Sequence, residues 1–382
     1  MAERFPSLAA AGAAERARTA EAGLASGGGV KIEIVSGLHR KAPAAILLST
    51  PSQRILLDAG GALEPDEAPW PVPADIDAVL LSHDHVDHIG GLNRLPADIP
   101  IYCSAVTAQA LPPGRRVHPI AVRGQFSLGD ITVTTGSCGH AWGGVWFHLN
   151  VAGGIFYSGD ISMESMLFRF DAPPPADIAL VDASYGLYDI PQSQQLEKLR
   201  AYLSQPTLCP VPPSGRAAEL ALWMARDNSQ PEIALDAACR AMLVQMAEDD
   251  EGSLQQGIAT ALRTLAQTNP LFSTQAPLVL VADPDGMNGM AGVLRARDDF
   301  HHRVLFTGHM NRVAYQQWLA GEVDFCRWNV HPTLSCLQKL VSQLSCRYVV
   351  PLFTAIDNPV RWQQALNCQL MTHPMIEMEL CQ

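Results

Sequence analysis

Apolar and polar side chains alternate over residues 31–36, and short apolar runs follow at 44–49 and 54–57 with turn residues between them. This pattern predicts the opening of a β-sheet layer. Residues 78–82 read as a further buried strand, which stops at the segment His83-Asp84-His85-Val86-Asp87-His88. More short strands are expected at 131–135, 145–151, 155–158 and 178–181, joined by Gly-rich turns. From about residue 190 the spacing becomes helical at 196–203, 217–225 and 254–266, interrupted by strand-like runs at 207–211 and 278–282. The change predicts an α/β subdomain inserted over residues 191–302. It divides a first part at 30–190 from a return at 303–382, where a strand at 303–306, a helix near 335–344 and a strand at 348–351 are expected to rejoin the first sheet. Residues 1–29 read as a leader, and there is no internal repeat of the solenoid kind.

Composition narrows the class. The chain has 382 residues, 48% hydrophobic and 17% charged, enough for two folded domains and unlike disordered or fibrous chains. No run approaches the roughly 20 apolar residues that span a bilayer, so no membrane segment is expected. Glu15, Arg16, Arg18 and Glu21 break up the Ala-rich start, which lacks the apolar stretch of a secretory signal and points to the cytoplasm. Nine cysteines without a C-x-x-C pair read as reduced thiols, Cys138 beside His140 included. The net charge of −12 repels nucleic acid at long range, so any phosphate polymer must be held by a local basic or metal-bearing groove.

The histidine cluster changes the picture most. H-x-H-x-D-H offers several metal ligands within a six-residue turn at a strand end, with Asp84 and Val86 pointing away. Neutral imidazole nitrogens suit zinc, and a carboxylate completes or bridges a second ion. Further ligands are expected from later strand ends, at His140 after Gly139 and at Asp160 in Tyr157-Ser158-Gly159-Asp160. Asp160 is the natural bridge, having two oxygens to share.

The order Asp58, H-x-H-x-D-H, His140, Asp160 resembles motifs one to four of the metallo-β-lactamase superfamily. The downstream chain looks like its β-CASP nuclease branch. Val181-Asp182-Ala183-Ser184-Tyr185-Gly186 is similar to the acidic motif A, and residues 209–216 with Glu219-Leu220 resemble the strand-to-helix element that opens the inserted domain. Leu305-Phe306-Thr307-Gly308-His309 is like the strand returning from it, and Val330-His331-Pro332-Thr333 looks like motif B. The resemblance implies an α/β fold, an αββα sandwich with an inserted β-CASP subdomain. It also implies roles: His83, His85 and His140 on one zinc, Asp87 and His88 on the other, Asp160 bridging and Asp58 behind them. Manganese is an alternative metal. Asp87, His331 and Asp182 are the implied catalytic groups, with His331 near the scissile phosphate and Asp182 orienting it.

Motif C departs from the family. Val350-Pro351-Leu352-Phe353-Thr354 has no histidine where RNA-cleaving relatives offer one, which removes a ligand from the second metal. His309 is a substitute ligand or, more simply, a substrate contact, and Ser184 and Arg216 are further substrate contacts. Arg216 follows a glycine at a predicted strand-to-helix turn, where it meets a phosphate or makes a surface salt bridge. The reading that follows is a zinc-dependent phosphodiesterase cleaving single-stranded RNA or DNA by metal-activated hydroxide attack on phosphorus. Two alternatives stay open: a hydrolase of a small ester, thioester or lactone, and a weakly active or non-catalytic partner of an active nuclease. Association into a homo-oligomer is also left open.

Overall fold

The computed structural model describes residues 29–226, 232–268 and 272–379, so most of the expected leader lies outside the described residues. Two seven-stranded sheets and one five-stranded sheet make up the β-structure. The first runs, edge to edge, Met375–Glu379, Gly29–Ser36, Ala45–Ser49, Arg54–Leu57, Ala78–Leu80, Ile101–Cys103 and Val117–Pro119. The second runs Gln369–Leu370, Tyr348–Leu352, Ile178–Asp182, Ile155–Tyr157, Val145–Leu149, Ile131–Ser137 and Gly124–Leu128.

The two-residue period of a strand explains how these sheets stack. Ile46 and Leu48 of the first sheet share one core with Ile155, Tyr157, Ile178 and Leu180 of the second. The intervening residues face outward. Phe156, Ala179 and Val181 pack with Leu337, Leu340 and Leu344 of helix Leu334–Leu344, and Val79 packs with Trp70, Leu92 and Leu95 outside the first sheet. Both faces of each sheet are therefore covered, which is why the strands at 145–149, 155–157 and 178–182 are buried along their whole length. The result is an αββα sandwich.

The third sheet runs Ile233–Leu235, Leu278–Val281, Thr207–Pro210, Arg303–Phe306 and Asp324–Phe325, all parallel, with helices on its faces. One expectation is corrected here. Arg303–Phe306 pairs with Thr207–Pro210 in the third sheet and does not return to the sandwich. An apolar run specifies a strand but not which sheet receives it. The return to the sandwich comes at Tyr348–Leu352, which lies parallel to Ile178–Asp182 in the second sheet rather than the first.

Strand direction places the chemistry. Arg54–Leu57 and Ala78–Leu80 are parallel in one sheet, and Ile155–Tyr157, Ile178–Asp182 and Tyr348–Leu352 are parallel in the other. Their carboxyl ends lead to Asp58, His83, Asp160, Asp182 and Phe353 respectively. Ligands gather at such ends because the strands fix the side chains while the loops beyond leave room.

Candidate metal centre

His83 and His85 continue the line of strand Ala78–Leu80, and His85 is the N-cap of a single helical turn, Val86–Ile89, that carries Asp87 and His88. The expected turn is thus half extended and half helical. Val86 is 53% exposed, as an outward position should be, whereas His83, Asp87 and His88 are buried. Close backbone packing holds the helical turn in place. A Cβ on Gly60 would run into the Asp87 carbonyl, and Gly60 N–H donates to Ala44 while Ala59 N–H donates to His88. Gly139, at φ 74°, does the same for His140, since a Cβ there would meet the Ser162 carbonyl.

Asp58 organises this group from behind. One carboxylate oxygen accepts Ser82 N–H at 2.7 Å; the other accepts Ser82 Oγ–H and His88 Nδ1–H at 2.7 Å each and Tyr157 O–H at 2.5 Å. With Nδ1 tied to Asp58, His88 turns Nε2 toward Asp160 Oδ1, 3.2 Å away. His140 is oriented in the same way, with Nδ1 donating to the Val330 carbonyl at 2.6 Å and Nε2 lying 3.1 Å from His85 Nδ1. Buried His83 Nε2 has no hydrogen-bond partner and sits 3.9 Å from Asp160 Oδ2, which is also 3.7 Å from His140 Nε2.

Ligand atoms of His83, His85, His140 and Asp160 all lie within 4.8 Å of one another, and those of Asp87, His88 and Asp160 form a second such group. Tetrahedral ligands about 2.1 Å from a zinc are spaced roughly 3.4 Å apart, so the first set fits a divalent cation. Its donors are otherwise unexplained, because lone pairs facing one another without a shared proton or cation repel. The second set has three donors and is closed by groups that do not ligate as they stand. Phe353 lies with its ring 5.7 Å from that of His88, and Lys41 Nζ is 3.2 Å from Asp87 Oδ2.

Electrostatics follow the geometry. Burial drives His83 well below the usual histidine range and His140 down to about 3, which keeps both neutral and able to ligate. Burial opposes the charged form of His88 as well, but Asp160, Asp58 and Asp87 outweigh it and hold that imidazole well above its usual value. The Asp160 carboxyl is held well below the carboxylate range in spite of burial, chiefly by His88 and Lys41.

His331 joins from another element: its Nδ1 is 3.9 Å from Asp160 Oδ2, and with Asp160 and Asp182 it makes a third such group. Helix Leu334–Leu344 is capped by Thr333, whose side chain accepts Cys336 N–H, and the two residues before the cap bring His331 Nδ1 to 2.7 Å from Asp182 Oδ2. The His331 and His140 rings lie 4.9 Å apart. Asp182 is fully buried, and it also accepts Ile161 N–H and Ser184 N–H. Ser184 Oγ is buried beside it without a partner.

Other expected residues fall elsewhere. Arg216 is no surface cation: it is 6% exposed, with Nη1 donating to the Thr307 carbonyl and hydroxyl at 2.6 and 2.7 Å and Nε unpartnered. His309 is exposed and belongs to none of the ligand groups among the described residues. Cys138 is buried, its thiol pushed up to about 12 by burial, and is in no ligand group. Sequence reasoning missed Lys41 and Arg327. The Arg327 guanidinium lies over Tyr185 and Tyr188, 4.4 and 4.7 Å from the ring centres, with no ion pair among the described residues. Neither residue stands in a motif; an aromatic pair spaced by three, as at Tyr185 and Tyr188, is the one local hint.

The chain is similar to known proteins in sequence and in fold. Residues 53–195 match the model of the beta-lactamase superfamily domain. Transcription termination factor FttA of Methanocaldococcus jannaschii is 26% identical over 253 residues, covering 53% of this chain and 40% of that protein. Ribonuclease TTHA0252 of Thermus thermophilus is 28% identical, covering 41% of this chain and 44% of its own length. The chain thus spans about 40% of the length of the curated relatives it matches. A crystal structure of a protein of unknown function from Enterococcus faecalis superposes with a TM-score of 0.60 at 13% identity, over 92% of this chain and all of that one, which is a likeness of fold.

Proposed function

We propose that this chain, which carries a metallo-β-lactamase domain of the β-CASP branch, is a metal-dependent phosphodiesterase that cleaves single-stranded nucleic acid, with zinc as its metal and the cytoplasm as its place of work. The observation that carries the reading is the convergence of His83, His85, His140 and Asp160 with the His331–Asp182 pair set against them. No helix among the described residues is long and apolar enough to cross a membrane. Eight cysteines there are free thiols, which suits a reducing compartment.

A divalent metal bound by those four residues supplies activation of water and neutralisation of phosphate charge. The chain's own groups supply the rest. Asp160 and the three imidazoles fix the position of the reacting centre, and Asp87, beside the half-exposed Lys41, is the carboxylate to which the attacking water passes its proton. His331 keeps Nδ1–H on Asp182 and so turns Nε2, with its proton, toward the leaving oxygen. One phosphorus–oxygen bond forms, the other breaks, and the leaving oxygen takes the proton from His331.

Binding of a polyanion to a chain of net charge −12 needs local cations; Lys41 lies on Asp87, and Arg327 lies over Tyr185 beside His331. Tyr185, 5.2 Å from His331, and Tyr188 add ring faces of the kind on which unpaired bases stack. Both named relatives, a ribonuclease and a transcription termination factor, support a nucleic-acid substrate.

The test is cleavage of end-labelled single-stranded RNA and DNA, duplexes, bis-nitrophenyl phosphate and nitrophenyl carboxylic esters by the purified chain. The reading expects metal-dependent cleavage of single strands that is lost in the H83A/D160N double variant. Turnover confined to carboxylic esters would replace it with a small-molecule hydrolase.

A further inference from the structure

The second group of ligand atoms, Asp87, His88 and Asp160, differs from the first in what closes it. Phe353 is 1% exposed and stands against His88 with nothing to donate. Its backbone is at φ 66°, a left-handed conformation that bulky residues rarely adopt. The Phe353 N–H is held by the Gly37 carbonyl at 2.7 Å, and a Cβ on Gly37 would lie 2.8 Å from the Phe353 ring. The loop bearing Gly37 thus continues, four residues later, into Lys41. The Lys41 side chain crosses the Phe353 ring, Nζ 5.4 Å from its centre, and ends 3.2 Å from Asp87 Oδ2. It is 40% exposed, so the ammonium reaches the centre from the solvent side, where a substrate must enter.

We propose that this chain works with one metal ion, held by His83, His85, His140 and Asp160, and that the Lys41 ammonium takes the place of a second cation, resting on Asp87 and contacting a phosphate oxygen of the substrate. The inference rests on the metal centre of the proposed function and adds how its charge is divided. The contacts of Asp87 carry it. The oxygen of Asp87 nearer His88 already accepts Lys41. A divalent ion sharing that oxygen with an ammonium would be repelled at close range. The ammonium keeps its protons throughout and acts as a fixed donor to developing phosphate charge. Phe353 completes the device by supplying an aromatic face for the lysine stem in place of a ligand.

The full chain is purified from zinc-supplemented cells, and metal per chain is measured by mass spectrometry and by calorimetric titration of zinc into the chelator-treated protein. The variants are K41M, which preserves the packing on Phe353, and K41M/F353H; thermal melts check that both are folded. The wild type is expected to retain one zinc, and K41M/F353H to retain two. K41M should bind a second zinc at least tenfold more tightly than the wild type does. Loaded with one equivalent, K41M should cleave at least tenfold more slowly than the wild type, and a second equivalent should restore much of the loss. Two tightly held ions in the wild type would overturn this inference and leave the proposed function standing. One ion in every variant would overturn the role given to Lys41. No metal in the wild type, with no cleavage when metal is added, would overturn the proposed function and this inference with it.

Discussion

Two buried carboxylates, Asp160 in the sandwich and Glu219 in the inserted α/β layer, are 2% and 4% exposed and behave in opposite ways. Glu219 is surrounded by donors: Ser165 Oγ–H, Met166 N–H at 3.1 Å and Trp328 Nε1–H at 2.6 Å. Its bonds are complete, and burial still pushes its pKa up. Asp160 faces ring nitrogens of His88, His140 and His83 at 3.2, 3.7 and 3.9 Å, and its pKa is held far down. Burial alone therefore does not mark a functional carboxylate. A surplus of acceptors turned toward one another does, because only a cation satisfies it.

The contrast is tested most strongly by D160N, which preserves shape and removes the charge. Metal content should fall to near zero and cleavage by at least about 10³-fold; metal retained at wild-type level would dissolve the distinction. Next is H331A, expected to lower kcat by about 10²- to 10⁴-fold with metal content unchanged, since His331 Nδ1 is taken up by Asp182. A loss of metal in H331A would instead make it a ligand. D58N is expected to weaken metal affinity about 10- to 100-fold. An amide at this position must turn N–H groups toward existing donors, which loosens Ser82 and, through its 3.0 Å contact with His83 Nδ1, a ligand of the first pocket. Unchanged affinity in chelator competition would contradict that support.

The smallest effect belongs to Glu219. The folded protein holds its proton to higher pH than the unfolded chain, where a glutamate titrates near about 4.3. Stability from this group is therefore present at low pH and is lost as pH rises through the folded value. E219Q lacks that slope and carries a nearly constant cost of about 1–3 kcal/mol for an amide turned toward a donor. The stability of wild type relative to E219Q, from urea unfolding across mildly acidic to neutral pH, should decrease as pH rises, with metal content the same in both. A flat difference would mean that Glu219 titrates as an ordinary carboxylate.

Much of the site was legible in the sequence because its signals are local. Three histidines and an aspartate in six residues, and an aspartate two residues after an apolar strand, can be read without a fold. Asp58 was legible through its order in the motif series, although its four hydrogen bonds were not. Lys41 was hidden because its meaning depends on Asp87, 46 positions away, and on Phe353, far beyond that. The missing motif C histidine was visible, but the cation beside the vacancy was not. Arg303–Phe306 was recognised as a strand and assigned to the wrong sheet, since pairing partners are decided by the helices and loops between strands. The spacing around Arg216 was right for a strand-to-helix turn, yet burial on Thr307 is a property of the third sheet's packing.

The pairing of Gly29–Ser36 with Met375–Glu379 also bears on the order in which the molecule can be made. During synthesis the strand at 29–36 emerges well before its neighbour on that edge, which is added only after nearly all the described residues have been translated. His331 and Asp182 are likewise separated by 149 positions. Such distant contacts fold slowly and leave an unpaired edge exposed in the interval. The histidine cluster therefore exists as sequence long before it exists as a pocket, and the nascent chain has its ligands without the geometry that gives them work.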